Sequence, residues 1–307
     1  MMSNTSGKSP QPIVFFGMRC AFSGPPLAAL LAAGHDVRAV VLPGAPFGPA
    51  VVHQSPARAL PIVGRRDDDL DDVAQRAGIP MISIRDPRHP DAIETIAALR
   101  PAMIAVACYP WRLPRAILDL PLLGCLNVHP SLLPVGRGPE PIFWTFRRGE
   151  RETGTTIHLM DERFDAGLIL LQERIAVPGG ARARDIERQL ATIGGRLLVE
   201  AIDRVVAGSA RSFPQDDTLT TAAPYPTNDD YVVATDRPAR WAFNFVRGVA
   251  PHGGPLRLHV VATGEQFPLL DALDCTENGR LDVPALRHGN ILTVQFHPGT
   301  ARFILHT

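Results

Sequence analysis

Lysine is almost missing. Lys8 is the only one, so arginine supplies the other 30 of the 31 basic residues, set against 31 acidic ones for a formal net charge of zero. A balanced chain can still carry a local basic patch, but nothing here resembles the basic stripe that holds a nucleic acid, and the arginine bias reads as codon usage rather than a phosphate surface. No apolar run approaches the ~18–20 residues that span a bilayer. The opening MMSNTSGKSPQP carries one positive charge and no apolar stretch, which reads as a loose tail and not as a secretory leader. The four cysteines (Cys20, Cys108, Cys125, Cys275) are scattered without a C-x-x-C pair; small buried thiols in a cytoplasmic protein are the expectation. G-x-G-x-x-G is absent after the first apolar run, and Leu42-Pro43 stands where a dinucleotide fold places an acid. A G-x-S-x-G nucleophile elbow is absent too. These absences argue against membrane, secreted, nicotinamide-dependent and serine-nucleophile classes.

What is present suits a core-forming chain of about two domains, with 307 residues of which 45% are apolar. Pro12–Gly17 reads as a buried strand, Leu27–Gly34 as an Ala/Leu helix with a glycine cap, and Val37–Leu42 as a second strand. That start predicts a βαβ unit and a Rossmann-like α/β sheet. Pro43–Pro61 reads as a long loop, Asp67–Gly78 as an acid-started helix whose aspartates suit the helix dipole, and Met103–Cys108 as a central strand. Gly124–His129 is a strand ending in polar side chains, and Thr155–Met160 another strand. Ala183–Ala207 carries apolar residues at helical spacing. Residues 1–12 are expected to be a disordered tail, 13–208 an α/β catalytic domain, 209–239 a linker, and 240–307 a small β-rich domain.

Chemistry is sought at the carboxyl ends of the strands, where open α/β sheets place their ligands. Asn127 and His129 are two apart on one strand and face the same way. An amide donor beside an imidazole suits acyl chemistry, steadying an oxyanion while a proton moves. Asp165, in a loop before Ala166-Gly167, supplies a carboxylate that could orient the imidazole. Taken singly, His129 fits hydrogen-bonded structure, Asn127 a turn and Asp165 a cap; their joint spacing sets them apart. His129, His158, Asp161 and Asp165 could also form a hard-metal site. His158 alternates with Ile157 and Leu159, however, and reads as core or as support behind the site, so no metal is expected.

The block Asn127-Val128-His129-Pro130-Ser131-Leu132-Leu133-Pro134, then Arg137-Gly138, Pro141, Thr153-Gly154-Thr155-Thr156 and Asp161 to Gly167, strongly resembles the 10-formyltetrahydrofolate-dependent formyltransferases. That family includes methionyl-tRNA formyltransferase and the sugar-amine N-formyltransferases. The resemblance runs from Ile13 to about Gly208 and continues more weakly through Asn244–Gly248. It implies a Rossmann-like catalytic domain, transfer of a formyl group from 10-formyltetrahydrofolate to an amine, and three roles. Asn127 would hold the formyl oxygen, His129 would act as general acid/base, and Asp165 would orient His129. By the same resemblance Val106, Cys108, Tyr109, Trp111, Leu113, Asp161 and Asp165 would contact the folate, and Ser131, Arg137 and Gly138 the acceptor. The chain departs from the family at Ala107–Pro114, which lacks the glycine usual after the aromatic, and in the turn Gly17–Gly24.

The acceptor is argued from charge. A tRNA needs its phosphates neutralised, yet Pro43–Pro61 offers only Arg58 plus His53. Arg65 and Arg66 are offset by the aspartates that follow, and residues 211–307 hold 8 arginines against 10 acids, a net of −2. A small amine, an amino sugar or amino acid, is the expected acceptor. Methionyl-tRNA is the alternative, with a 10-formyltetrahydrofolate hydrolase or a non-catalytic folate-binding module behind it.

Overall fold

β1 (Pro12–Gly17) is a strand because Ile13, Val14, Phe15 and Phe16 are apolar on both faces, and all four have no exposed surface. Around it the computed structural model, which describes residues 11–54, 69–250 and 253–306, builds an eight-stranded sheet. The order across the sheet is β3-β4-β2-β1-β5-β6-β7-β8. The strands are β2 (Asp36–Pro43), β3 (Val51–Gln54), β4 (Met81–Ile84), β5 (Met103–Ala107), β6 (Cys125–His129), β7 (Glu152–Leu159) and β8 (Ile169–Ala176). β4, β2, β1, β5 and β6 run parallel, while β3 and β7 are antiparallel to their neighbours. The chain winds from β1 outward to β2 and β4, then returns to the other side of β1 with β5. That reversal is the switch point at which such sheets hold ligands.

The helices are α1 (Gly24–Ala32), α2 (Leu70–Arg76), α3 (Pro90–Ala98), α4 (Arg115–Leu118), α5 (Pro141–Arg148), α6 (Ala183–Val206) and α7 (Ala239–Val249). α1 opens on Pro25 and Pro26, whose fixed φ suits a first turn that needs no amide donors. α6 lies unusually close to its neighbours. A Cβ on Gly194 would sit 2.5 Å from the Val128 Cγ1 of β6, and one on Gly195 would sit 3.0 Å from the Pro25 carbonyl of α1. Glycine there trades helix propensity for contact.

Contacts divide the chain into two compact units that interleave along the sequence. One comprises Met1–Val135, Gly154–Glu173 and Arg188–Thr220; the other comprises Gly136–Thr153, Arg174–Glu187 and Thr221–Thr307. The second unit contains the sheet β12-β13-β14-β11-β10-β9. Its strands are β9 (Val232–Ala234), β10 (Arg257–His259), β11 (Gln266–Thr276), β12 (Ala285–His288), β13 (Ile291–Gln295) and β14 (Thr300–Leu305). Trp241 and Phe245 of α7 stack at 5.5 Å, and Phe143 of α5 meets Phe245 edge-on at 5.7 Å. A Cβ on Gly248 would lie 2.3 Å from Phe146, so these two helices also touch through a glycine.

The α/β class with a β-rich C-terminal part is as read from the sequence, and differences concern short elements. β3 stands inside the stretch expected to be loop. It is a four-residue edge strand in a stretch rich in Pro and Gly, and β4 is its strand partner among the described residues. β9 stands inside the expected linker, paired in parallel with β10. α5, β8 and β12 have no counterpart in the sequence reading. Arg58, Arg65, Arg66, Asp67, Asp68 and the tail up to Pro10 lie outside the described residues.

Gly194→Ala tests the close approach of α6. Alanine should favour a helix by about 1 kcal/mol, but overlap with the buried Val128 should cost about 1–3 kcal/mol. The expected result is a net loss, seen as a lower Tm in thermal unfolding.

Candidate active site

β6 and β7 place Asn127 directly opposite His158, and His129 opposite Thr156. His129 is 4% exposed and His158 1% exposed. His158 Nδ1 lies 3.0 Å from the Leu159 carbonyl oxygen, which can only accept, so Nδ1 carries the proton. Nε2 of the neutral ring is then an acceptor, and the Asn127 amide donates to it at 3.1 Å. The same amide nitrogen donates to Asp165 Oδ1 at 3.3 Å. The reversed amide would set its oxygen against that carboxylate, which fixes the orientation.

Asp165 gathers the remaining groups. Its Oδ1 is 3.7 Å from His129 Nδ1 and 3.6 Å from His158 Nε2. The residue has φ +49°, a left-handed conformation that aspartate tolerates better than most side chains. Two features hold it so. A Cβ on Gly167 would lie 1.7 Å from the Leu159 carbonyl oxygen, so only glycine allows the loop to press on β7. Gln215 Nε2 donates at 2.8 Å to the carbonyls of both Asp165 and Gly167.

A cleft opens beside this group. Val106, Leu113 and Met160 line it together with Tyr109, Trp111 and Phe164, and Asn127, His158, Asp161 and Asp165 form its polar side. Arg112 and Arg163 add two cations, and Arg112 stacks over Phe164 at 5.2 Å. The free volume is only about 60 Å³, room for a few waters. Phe164 at the rim is 56% exposed. Tyr109 meets Phe16 and Trp111 edge-on at 5.1 and 5.7 Å. Its hydroxyl is buried without a partner among the described residues, and burial, with help from the Asp86 charge, pushes its pKa above the usual tyrosine range.

Most of the residues singled out in the sequence meet here. Asn127, Val106, Tyr109, Trp111, Leu113, Asp161 and Asp165 line the cleft, and His129 reaches Asp165 from beside Asn127. Cys108 does not line it but precedes Tyr109, at φ +59°. Ser131 is buried, its hydroxyl donating to the Val135 carbonyl at 2.6 Å and its own carbonyl accepting from Thr156 at 2.6 Å. Arg137 and Gly138 belong to the second unit, where Arg137 bridges Ala222. The sequence reading missed Arg112, Met160, Arg163, Phe164 and Gln215. Arg112, Met160 and Phe164 adjoin predicted residues, Arg163 lies between Asp161 and Asp165, and Gln215 comes from a stretch that carries no periodic signal.

Residues 46–202 match the family described as Formyl transferase. The methionyl-tRNA formyltransferase of Moorella thermoacetica is 35% identical over 261 residues, covering 85% of this chain and 79% of that protein. An N-formyltransferase from Helicobacter canadensis, crystallised with folinic acid and dTDP-3-aminofucose, superposes with a TM-score of 0.68 at 12% identity, over 97% of this chain and 99% of that one. HypX from Aquifex aeolicus, crystallised with tetrahydrofolic acid, gives 0.63 at 18% identity over 96% of this chain. This chain spans 44% of the length of HypX. At such identities the two solved structures speak to the fold.

Tyr109→Phe removes a buried hydroxyl that bonds to none of the described residues. Thermal stability should hold or rise by about 1 kcal/mol, read as an equal or higher Tm; a clear drop would show that the hydroxyl has a protein partner.

Proposed function

The chain belongs to the formyl transferase family, and from that premise we propose that it moves a formyl group from 10-formyltetrahydrofolate to the primary amine of a small acceptor, an amino sugar or an amino acid. As a family member it is a one-carbon transferase. We assign the chemistry to the stretch 13–208, in a cytoplasmic setting; no helix among the described residues is long and apolar enough to cross a membrane.

The cleft suits the donor chemically. Aromatic and aliphatic walls match a flat fused ring, and guanidinium groups match carboxylates. The free volume is small for such a ring, so the rim side chains Phe164 and Trp111 must swing aside. When bound, 10-formyltetrahydrofolate supplies the electrophilic formyl carbon. Asn127 presents its amide N–H groups at the polar end of the cleft, where the formyl oxygen would gather charge. Both are now shared between His158 and Asp165, so one of these bonds is exchanged as the oxygen arrives. The longer contact, to Asp165 at 3.3 Å, is the one to yield. His129 takes the proton of the attacking amine and returns one to the leaving nitrogen. Asp165 keeps the His129 ring turned for that work.

Charge carries the choice of acceptor. Residues 211–307 hold 8 arginines and 10 acids, and carboxylates engage several of the second unit's arginines. Arg182 meets Asp271 at 2.7 Å, Arg240 meets Glu277 at 2.9 Å, and Arg302 meets Asp274. Guanidinium groups engaged in this way neutralise few phosphates. One observation favours methionyl-tRNA as a second reading, namely the 35% identity over 79% of the Moorella enzyme.

Asn127→Ala should lower formyl transfer by about 10²–10³-fold or more with the fold intact; a variant that kept near-full kcat would remove Asn127 from this role. For the acceptor, donor turnover is measured with initiator methionyl-tRNA at low salt beside a known transferase, and separately with amino sugars and amino acids. Turnover only with small amines supports the proposal. A rate on tRNA near the control's would overturn it, and formate release without any amine would indicate a hydrolase.

A further inference from the structure

Two cysteines from different strands meet at the switch point of the first sheet. β1 and β5 lie side by side with Gly17 opposite Ala107, and there both leave the sheet. Cys20 stands three residues past Gly17, and Cys108 directly follows Ala107. Ser23, fully buried, ties the two exits together: its hydroxyl accepts the Met18 N–H at 3.1 Å and donates to the Ala107 carbonyl at 2.7 Å. Cys20 Sγ lies 3.6 Å from that hydroxyl and accepts a hydrogen bond from the Cys108 thiol. Neither cysteine is in a disulfide and both are half-buried, so small oxidants reach them more readily than large ones.

Cys20 differs from Cys125 and Cys275 in its electrostatic setting. The hydrogen bond from Cys108 does most to lower the Cys20 thiol to about 6, against the opposing effect of burial, and the backbone at Phe22 and Ser23 assists. The lowered thiol holds more of the nucleophilic thiolate form at neutral pH than an ordinary cysteine does. Burial pushes Cys125 up to about 12 and raises Cys275 as well. Those two act as inert internal controls.

We propose that Cys20 and Cys108 form a peroxide-sensitive dithiol that closes to a reversible disulfide beside the donor cleft. The Cys20 thiolate attacks one oxygen of hydrogen peroxide; the O–O bond breaks, hydroxide leaves and is protonated to water, and Cys20 becomes a sulfenic acid. The Cys108 sulfur then attacks the Cys20 sulfur, the S–O bond breaks, and hydroxide leaves with the Cys108 proton as a second water. Two thiols lose two electrons and one peroxide gains them. Cys108 lies between Val106 and Tyr109, both cleft residues, so drawing it toward Cys20 displaces that wall. This last consequence rests on the donor reading given above.

The full chain is treated with stoichiometric hydrogen peroxide, and its thiols are titrated under denaturing conditions. Titratable thiols should fall from four to two, with the Cys20 and Cys108 peptides joined in non-reducing mass spectrometry, and dithiothreitol should restore all four. Cys20→Ser should keep its three thiols throughout. Four thiols remaining in the wild type, or overoxidation of Cys20 without a cross-link, would overturn the proposal. Donor turnover by the oxidised wild type should drop about tenfold or more and recover with dithiothreitol, while Cys20→Ser should not respond to peroxide. A cross-link without that drop keeps the dithiol and removes its effect on the cleft. If the untreated chain transfers no formyl group, the donor reading has failed, and the thiol titration still decides the dithiol.

Discussion

Everything in the cleft's polar end depends on where one carboxylate is held. Asp165 lies within 3.3 to 3.7 Å of Asn127, His158 and His129, and it stays there because its loop cannot move inward or outward. Inward, Gly167 already touches the Leu159 carbonyl as closely as a residue without a Cβ can. Outward, Gln215 clamps the carbonyls on either side of Ala166. A half-buried carboxylate is costly unless hydrogen bonds and charges surround it, and here three side chains share the task. The strain of a left-handed aspartate is the local cost of that arrangement.

The two histidines divide their duties through what their nitrogens can still do. His158 has one nitrogen donating to a backbone carbonyl and the other accepting from Asn127, so gaining a proton would break the bond that orients the amide. His129 shares the carboxylate but sits one β-ladder step away, opposite a threonine. Thr156 in turn donates to the Ser131 carbonyl and accepts from the Leu133 N–H and from Gln172. The loop that follows His129 is thereby tied to β7, which limits how far the ring can drift from Asp165.

How much of this could be read beforehand depends on whether the signal was local. Asn127 and His129 were visible because alternation on one strand gives their common face, and Asp165 because its spacing belongs to a dense motif. His158 was read as core or support from its own strand's alternation. Its bond to Asn127 follows from the antiparallel register of β6 and β7, which no stretch of sequence states. Gln215 was hidden for a similar reason, since it lies in a polar, proline-containing stretch that resembles a linker. β3 and β9 are too short for alternation to show and exist because a neighbouring strand offers its edge. The interleaving of the two units along the chain is a matter of contacts between distant stretches. Residues 136–153 and 174–187 group with the C-terminal third through contacts such as Arg182 with Asp271, 89 positions away.

The narrowness of the cleft also bears on kinetics. At about 60 Å³ it is nearly shut, yet its outer edge is one phenylalanine more than half exposed and one tryptophan whose only ring neighbour among the described aromatic pairs is Tyr109. Exposed side chains change rotamer in picoseconds to nanoseconds, far faster than a dilute ligand meets the protein. If those two side chains gate the entrance, it would open and close many times between encounters, and a ligand would meet a fraction of molecules already open. Occupancy of that open fraction, rather than the speed of opening, scales the association rate. A bulkier or more firmly packed residue in place of Phe164 would slow capture without touching any polar group of the site.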